Sequence, residues 1–395
     1  MNRHPFIFLL GGILALMIAM GIGRFAYTPI LPLMQEDLGF SDSLAGSLAS
    51  SNYLGYLVGA IIASFLPFHN HKIKYLRSSL LVSIITTLMM GLVHSYVLMH
   101  IIRFVSGLAS AFIFILTSSI VLDRLANANK TNLAGYFYSG VGLGIFFSTL
   151  FVPLFNHSFH WKGVWIGLAI ISFLLMIFVW LWLNDSPNIE KKQIQQQIYL
   201  QTPPRKWLPF LTIAYGLEGL GYIVTGTFIV SIADQTRLFS SEPAIVWIVV
   251  GFAAIPSCVL WSELAKKRGF VRSLVLAMIL QAIGIALPVF WLSQVSFILS
   301  ALLFGATFMG ITTLATTLGR QISPSNSSRI IAYLTVSYGF GQVVGPLISG
   351  ILNDFTQSYH VALIGAASVI FLGSLLLISG IRYEPFSKIG ATYSK

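Results

Sequence analysis

Long apolar stretches separated by short polar turns run through the whole sequence. A helix needs about 20 mostly apolar residues to cross the hydrocarbon core of a bilayer. Twelve stretches meet this requirement, so the pattern predicts an all-α, polytopic membrane protein with twelve transmembrane helices. The predicted segments are 6–34, 43–66, 74–94, 96–124, 131–155, 161–183, 207–233, 243–264, 271–291, 295–319, 328–352 and 359–382.

A polar, glutamine-rich stretch lies between the sixth and seventh segments. It contains prolines and pairs of basic residues, which is typical of a solvated linker. We therefore predict an N-terminal six-helix bundle (1–184), a cytoplasmic linker (185–206) and a C-terminal six-helix bundle with a short cytoplasmic tail (207–395).

The two predicted bundles repeat in sequence. An offset of 197 or 198 residues aligns three pairs of helices, and it places Gly21 on Gly219, Gly107 on Gly305, and Gly142 on Gly339. Duplicated transporter halves related by an axis along the membrane normal leave this kind of repeat. We therefore expect two pseudo-symmetric bundles.

Composition and charge agree with a membrane protein. Of the 395 residues, 56% are hydrophobic and only 9% are charged, which excludes an ordinary soluble domain. The net charge of +11 would suggest nucleic acid in a soluble protein, but nearly all of the basic residues fall in alternate loops. The positive-inside rule explains this asymmetry without nucleic acid and places both termini in the cytoplasm. We expect a monomer in the cytoplasmic (inner) membrane, whose partners are the lipid bilayer and a small-molecule substrate.

Three charged side chains lie deep within the predicted membrane segments, away from the segment ends. Arg24 is in segment one, where it shares a helix face with Tyr27 and Thr28, Arg103 is in segment four, and Glu218 is in segment seven. A charge inside a bilayer is costly and therefore indicates a pathway or a binding site.

Polar and aromatic side chains of neighbouring segments complete the predicted site. For any one of those on segments two, five and eleven, a role in helix packing is an equal alternative to substrate contact. Besides the two arginines, Tyr27 and Thr28, the substrate-binding candidates are Asn52, Tyr53, His100, Ser110, Tyr136, Tyr215, Tyr222, Thr225, Phe308, Thr312, Tyr338 and Gln342.

The intramembrane charges allow two interpretations. In the first, Arg24 and Glu218 neutralise one another across the interface of the halves, or the charged side chains satisfy backbone carbonyls. In the second, which we favour, Arg24 and Arg103 hold an acidic or polar group while Glu218 gains and loses a proton. A carboxyl whose surroundings alternate between apolar and positively charged can exchange a proton in this way. We expect no catalytic residue, metal site or cofactor, and a proton gradient as the energy source.

These residues resemble a known family, the major facilitator superfamily of secondary transporters. Arg103-Phe104-x-x-Gly107 and Gly341-x-x-x-Gly345-Pro346 are similar to its motifs in helices four and eleven. The stretches 21–29 and 216–223 together resemble its YbfB/YjiJ subgroup. The resemblance implies the major facilitator fold and alternating access, with helices one, four, seven and ten lining the cavity.

The sequence also departs from the superfamily pattern. The loop after segment two keeps only the positive charge of the usual motif, and Lys266 stands where an aspartate is expected in the second half. Other acids must then close the inner gate, and we predict Asp123 and Glu263 for this role. Segment five also lacks the Gly-Pro motif of antiporters.

The sequence thus predicts a proton-coupled secondary transporter, and not an enzyme. An acidic or zwitterionic solute is favoured because two arginines outnumber one carboxyl in the predicted cavity. The alternatives are a proton-antiport efflux pump for hydrophobic or drug-like compounds, which the aromatic residues favour, and, more distantly, a non-transporting membrane sensor or scaffold.

Overall fold

The computed structural model describes residues 5–66, 71–184, 202–239 and 242–384. All regular structure in these residues is helical, and twelve helices, here named α1 to α12, are long and apolar enough to cross a membrane. They are Pro5–Leu38, Asp42–Phe65, Lys72–Met90, Tyr96–Asn127, Thr131–His157, Phe159–Trp182, Arg205–Gln235, Ile245–Arg268, Phe270–Phe290, Gln294–Ile322, Arg329–Thr356 and His360–Tyr383.

The predicted segments agree with these helices to about one helical turn at each end. Most of the predicted linker, 185–201, and the tail, 385–395, lie outside the described residues. Helices α5 and α6 follow one another with no loop, and the chain turns between them at Phe159 and His160, where the φ angle of His160 is 53°. The all-α, twelve-helix prediction is confirmed.

Helix α1 is not one continuous α-helix, a feature that the sequence analysis did not predict. It is α-helical over Pro5–Leu16, forms a π-helical turn over Met17–Ile22, and resumes as an α-helix over Tyr27–Leu38. In the break, the N–H of Gly23 donates to the carbonyl of Ile18 at 2.8 Å, which is the i→i−5 spacing of a π-helix. Both parts of α1 are apolar, so hydrophobic periodicity does not reveal the break.

The halves contact one another through exchanged pairs of helices. Helix α2 packs on α11 and helix α5 packs on α8, while α1 lies against α7. The repeat in sequence relates α2 to α8 and α5 to α11. The α2–α11 and α5–α8 contacts are therefore equivalent. We call the end of the bundle where α1 begins the proximal end, and the end where α1 meets α2 the distal end.

Glycines allow the closest approaches between helices. A Cβ atom on Gly107 of α4 would lie 1.9 Å from the carbonyl oxygen of Asn52 on α2. A Cβ atom on Gly21 of α1 would lie 2.3 Å from the Cα atom of Gly144 on α5. Helix association in membranes depends on such small residues, because backbones can then pack directly.

We predict that Gly107→Ala destabilises the protein and that Gly365→Ala does not. At Gly107 the methyl group collides with a backbone oxygen, whereas nothing lies within 4 Å of the corresponding position at Gly365. Overpacking of this kind costs about 1–3 kcal/mol, while alanine is otherwise the better helix former. Thermal unfolding of the two variants in detergent, side by side, measures the difference. Equal stability of both variants would contradict the packing described here.

Candidate functional site

The break in α1 leaves backbone carbonyls that α4 satisfies. Ser110 Oγ donates to the carbonyl of Ala19 at 2.9 Å. The carbonyl of Gly23 accepts from Ser106 Oγ at 3.1 Å and from Arg103 Nη1 at 3.3 Å. An unsatisfied backbone group costs several kcal/mol in a bilayer. These three side chains of α4 therefore stabilise the broken conformation of α1.

Arg103 thus has a structural contact as well as its predicted place in the site. It is fully buried, its guanidinium lies 4.6 Å from the ring centre of Tyr27, and its Nε and Nη2 atoms have no hydrogen-bond partner. Its own carbonyl accepts from Asn52 Nδ2 at 2.9 Å, and Tyr27 donates to the carbonyl of Ala45 at 3.0 Å. The first interpretation, in which a charged side chain satisfies a backbone carbonyl, therefore holds for Nη1 of Arg103 and not for its other two nitrogen atoms.

Arg24 follows the break directly and lies among aromatic rings. Its guanidinium carbon is 4.4 Å from the ring centre of Tyr56, 4.8 Å from that of Tyr53 and 5.3 Å from that of Phe25. Only 3% of the residue is exposed, and its Nε and Nη2 atoms have no hydrogen-bond partner. The rings stabilise the cation, but the N–H groups of Nε and Nη2 remain without an acceptor.

Glu218 does not form an ion pair with Arg24 in this conformation, so mutual neutralisation, the first of the two interpretations, does not describe it. The carboxylate is 0% exposed and lies next to the side-chain amide of Gln281 on α9, with no well-formed hydrogen bond to either oxygen. Among the described residues, the ion pairs are Lys72 with Asp123 at 3.5 Å and Lys266 with Glu263 at 2.6 Å. Arg24 and Glu218 do not meet because their side chains point in different directions. Glu218 points into the C-terminal half, towards Gln281, and Arg24 points towards Tyr53 and Tyr56 of α2.

Aromatic rings of the C-terminal half form a stack beside these charges. The ring centres of Tyr215 and Tyr338 are 4.4 Å apart with planes inclined by 17°, and those of Tyr338 and Tyr222 are 5.4 Å apart at 16°. Phe308 continues the series, 6.2 Å from Tyr222 and inclined by 8°. Gln342 Nε2 donates to the hydroxyl of Tyr222. We call Tyr215, Tyr338, Tyr222 and Phe308 the ring stack.

Other predicted site residues make hydrogen bonds to a backbone carbonyl or to a neighbouring helix. Thr28 Oγ1 donates to the carbonyl of Gly226 at 2.6 Å and so joins α1 to α7, at positions that the repeat relates. His100 Nε2 lies 2.9 Å from Ser47 Oγ and joins α4 to α2. Thr312 Oγ1 bonds the carbonyl of Phe308 at 3.2 Å within α10.

Two predicted residues stand apart from these contacts. Thr225 is buried on α7, and its hydroxyl has no hydrogen-bond partner. Tyr136 is 51% exposed near the proximal end of α5, away from the buried charges. The structure therefore does not bring Tyr136 together with the ring stack or the arginines.

Sequence reasoning did not assign Ser106, Gln281 or Phe304 to the site. Ser106 lies one helical turn from both Arg103 and Ser110, so its place on their face could have been recognised. Gln281 interrupts an otherwise apolar stretch of segment nine, which was a usable signal. Phe304 lies 5.5 Å from Phe308 with planes inclined by 11°, but a phenylalanine in an apolar helix gives no signal.

A polar cluster at the distal end was also missed. Asp354 of α11 accepts from the backbone N–H groups of Asp42 and Ser43 at 3.1 Å each, and from Ser43 Oγ. The carboxylate of Asp42 accepts from Gln35 Nε2 at 2.7 Å and from Asn353 Nδ2. We call Gln35, Asp42, Ser43, Asn353 and Asp354 the distal clamp.

The distal clamp closes the two halves against one another. Asp354 supplies, from the other half, the hydrogen-bond acceptor that the first N–H groups of α2 need, and a carboxylate at a helix N-terminus also complements the helix dipole. At the proximal end, the predicted gating residues Asp123 and Glu263 each pair with a lysine of their own half. The described ion pairs therefore do not cross between the halves there.

The fold and these contacts define a class of protein. Two repeated helical halves, closed at one end and holding buried charges and rings at their interface, are the arrangement of secondary transporters that bind at the interface of repeats. The sequence matches the family model described as "Uncharacterised MFS-type transporter YbfB" over residues 16–378, and the chain belongs to this family of major facilitator transporters.

Comparison with individual proteins agrees with this assignment. The chain is 24% identical over 402 residues to the MFS-type transporter YceJ of Bacillus subtilis (strain 168), with 96% of each chain covered. It is 22% identical over 404 residues to the MFS-type transporter YcaD of Escherichia coli O17:K52:H18, with 98% of this chain covered and 99% of the relative. A crystal structure of a variant of the nucleoside transporter NupG superposes with a TM-score of 0.74 at 16% identity, covering 94% of this chain and 99% of NupG. That likeness concerns the fold.

We predict that Asp354→Ala opens the distal end. The substitution removes a charged acceptor of three hydrogen bonds across the halves, and one such bond is worth about 1.5–3 kcal/mol, so opening should increase roughly tenfold or more. The measurement is labelling of Ser231→Cys by a membrane-impermeant maleimide in a Cys258→Ser background. Ser231 lies at the distal interface, where its hydroxyl bonds Gln35 Oε1 at 3.3 Å.

Asp37→Ala is the matched control, because Asp37 is an exposed aspartate at the same end. Its labelling rate should equal that of the parent. If Asp354→Ala and Asp37→Ala label equally, the distal clamp does not hold the halves closed.

Proposed function

We propose that this protein is a proton-coupled secondary active transporter that moves a small acidic or zwitterionic organic solute across the cytoplasmic membrane by alternating access. The observation that carries the proposal is Arg24, a buried cation at the interface with two nitrogen atoms free of hydrogen bonds. A buried charge without a partner is costly. A carboxylate of the solute would offset this cost, since carboxylate and guanidinium match in two parallel hydrogen bonds.

Glu218 is the residue that we propose to carry the proton. Its ionised form would need a positive partner or water at this position, and its protonated form would not. Neither carboxylate oxygen has a well-formed hydrogen bond here, although Gln281 lies beside it. Movement of the halves changes what surrounds Glu218, so binding and release of a proton can follow the conformational cycle.

The proposed orientation follows from the basic loops, which favour cytoplasmic termini. The distal end then faces outwards, and the distal clamp is the outer gate. The solute would reach Arg24 and the ring stack from outside once the clamp separates, and from the cytoplasmic side once the opposite end opens. Asp123 and Glu263, with their lysines at the opposite end, remain our candidates for the inner gate.

A second candidate function, efflux of hydrophobic compounds by proton exchange, is favoured by the ring stack. Aromatic rings contribute large apolar surfaces that bind many unrelated compounds. The two functions differ in their dependence on Arg24, because an uncharged compound gains much less from the guanidinium than a carboxylate does.

We predict that Glu218→Gln abolishes accumulation driven by a proton gradient and preserves exchange. Glutamine keeps the shape of the side chain but cannot take up a proton. The solute is first identified by an untargeted comparison of metabolites inside and outside cells that lack or overproduce the protein. Gradient-driven uptake and solute exchange are then measured in proteoliposomes, with Glu36→Gln, an exposed glutamate, as the control. Coupled accumulation in Glu218→Gln would refute the assignment of this residue.

We further predict that Arg24→Lys weakens solute binding roughly tenfold, equal to ~1.4 kcal/mol. Lysine keeps the positive charge but lacks the planar fork that bonds a carboxylate twice. The exposed Arg329→Lys is the matched control and should bind as the parent does. Binding is measured by titration calorimetry with the solute identified above. Parent-like affinity in Arg24→Lys would argue against an acidic solute and in favour of the efflux pump.

A further inference from the structure

The two halves bring different chemistry to their interface. Arg24 and the rings that hold it, Tyr53 and Tyr56, belong to the N-terminal half. The ring stack belongs entirely to the C-terminal half, on α7, α10 and α11. The Arg24 guanidinium lies 5.3 Å from the ring centre of Phe25, which in turn lies 6.1 Å from the ring centre of Phe308 in the stack. A cation thus faces a set of parallel rings across the interface.

We propose that the solute is a small planar aromatic carboxylate, whose ring binds on the ring stack and whose carboxylate binds Arg24. This inference rests on the proposed function and narrows it, because an acidic solute need not be aromatic. It concerns the class of solute and not a particular compound.

The ring stack is suited to a flat ring and not merely to an apolar surface. Successive planes are inclined by 17°, 16° and 8°, so the rings are nearly parallel to one another. Tyr215, Tyr222 and Phe308 are each no more than 4% exposed. A random apolar cluster in a core would mix edge and face contacts, as Phe25 does against Phe308 at 77°. Offset stacking of a further ring on such a series adds about 0.5–1.5 kcal/mol beyond burial, which is about two- to tenfold in affinity.

Arg24 decides the charge of the solute. A cationic ring compound would approach a guanidinium of the same sign in a medium of low dielectric constant. A neutral ring compound can accept a hydrogen bond from Nε or Nη2 of Arg24 at most, and it brings no negative charge to offset that of the guanidinium. A carboxylate satisfies both atoms at once. Glu218 does not compete for this place, because it lies next to Gln281 inside the C-terminal half.

A solute with both groups would also connect the two halves. Its carboxylate would bind α1 and its ring would bind α7, α10 and α11. A ligand shifts a conformational equilibrium only by its difference in affinity between the states. A bridging solute has such a difference, since it makes both contacts only when the halves are close, whereas an aliphatic acid or a neutral ring makes one of them.

The test compares three probes of nearly equal size: benzoate, cyclohexanecarboxylate and benzamide. Cyclohexanecarboxylate keeps the charge and loses the flat ring, and benzamide keeps the ring and loses the charge. Binding to the purified full-length protein is measured by titration calorimetry at neutral pH. We expect benzoate to bind about two- to tenfold more tightly than cyclohexanecarboxylate. We expect it to bind more tightly than benzamide by a factor of about ten or more.

Variants connect this preference to named residues. Tyr338→Leu should remove the preference for benzoate over cyclohexanecarboxylate, and Tyr338→Phe, which keeps the ring, should retain it. Phe308→Leu gives a second measurement if Tyr338→Leu does not fold. Arg24→Gln should weaken binding of both carboxylates and should affect benzamide much less.

The outcomes separate the two proposals. If cyclohexanecarboxylate binds as tightly as benzoate, or if Tyr338→Leu and Phe308→Leu keep the preference, the aromatic class is wrong and the acidic solute stands. If neither carboxylate binds more tightly than benzamide, both the aromatic acid and the acidic solute of the proposed function are wrong. If none of the three probes binds at millimolar concentration, the aromatic class is likewise refuted, and the effect of Glu218→Gln on coupling still tests the proposed function separately.

Discussion

The break in α1 is the constraint on which the rest of the site depends. Inside a bilayer, backbone groups must be satisfied by the protein itself. The carbonyls freed over Met17–Ile22 and at Gly23 are satisfied by three side chains of α4. The break also needs the close approach of α1 to α5 at Gly21. The irregular backbone is therefore stabilised by two neighbouring helices, and it fixes the position of Arg24.

The two arginines have different tasks, although they look equivalent in the sequence. Arg103 donates a hydrogen bond from Nη1 to the carbonyl of Gly23. Replacing Arg103 would therefore disturb α1 as well as the binding of a ligand. Arg24 contacts aromatic faces, which stabilise its charge, and like Arg103 it keeps its Nε and Nη2 atoms without hydrogen-bond partners. The rings of Tyr53 and Tyr56 thus keep Arg24 buried and still able to bind an anion. Arg24 can therefore bind a ligand without loss of a contact that holds the break in α1.

Sequence patterns predicted the large features because those depend on composition and length. The spans, the repeat and the intramembrane position of Arg24, Arg103 and Glu218 all follow from where apolar residues occur. The break in α1 and the direction of Glu218 depend on backbone hydrogen bonds and on helix rotation, which apolar periodicity does not encode. The distal clamp was missed because Asp42 and Asp354 lie at helix ends, where a carboxylate is ordinary, and because they are far apart in sequence.

The same physical requirement, a partner for backbone groups that a helix cannot satisfy itself, is met in two ways that matter for transport. At Gly23 the partners come from α4 of the same half, so they would move together with α1 in the alternating access proposed above. At the start of α2 the partner is Asp354 of the other half, so it must be lost whenever the distal end opens. Water replaces it there, since the start of α2 lies at the end of the bundle and not at its centre. The cost of opening is therefore moderate at the clamp and would be prohibitive at the break, which makes the clamp the natural place for a gate.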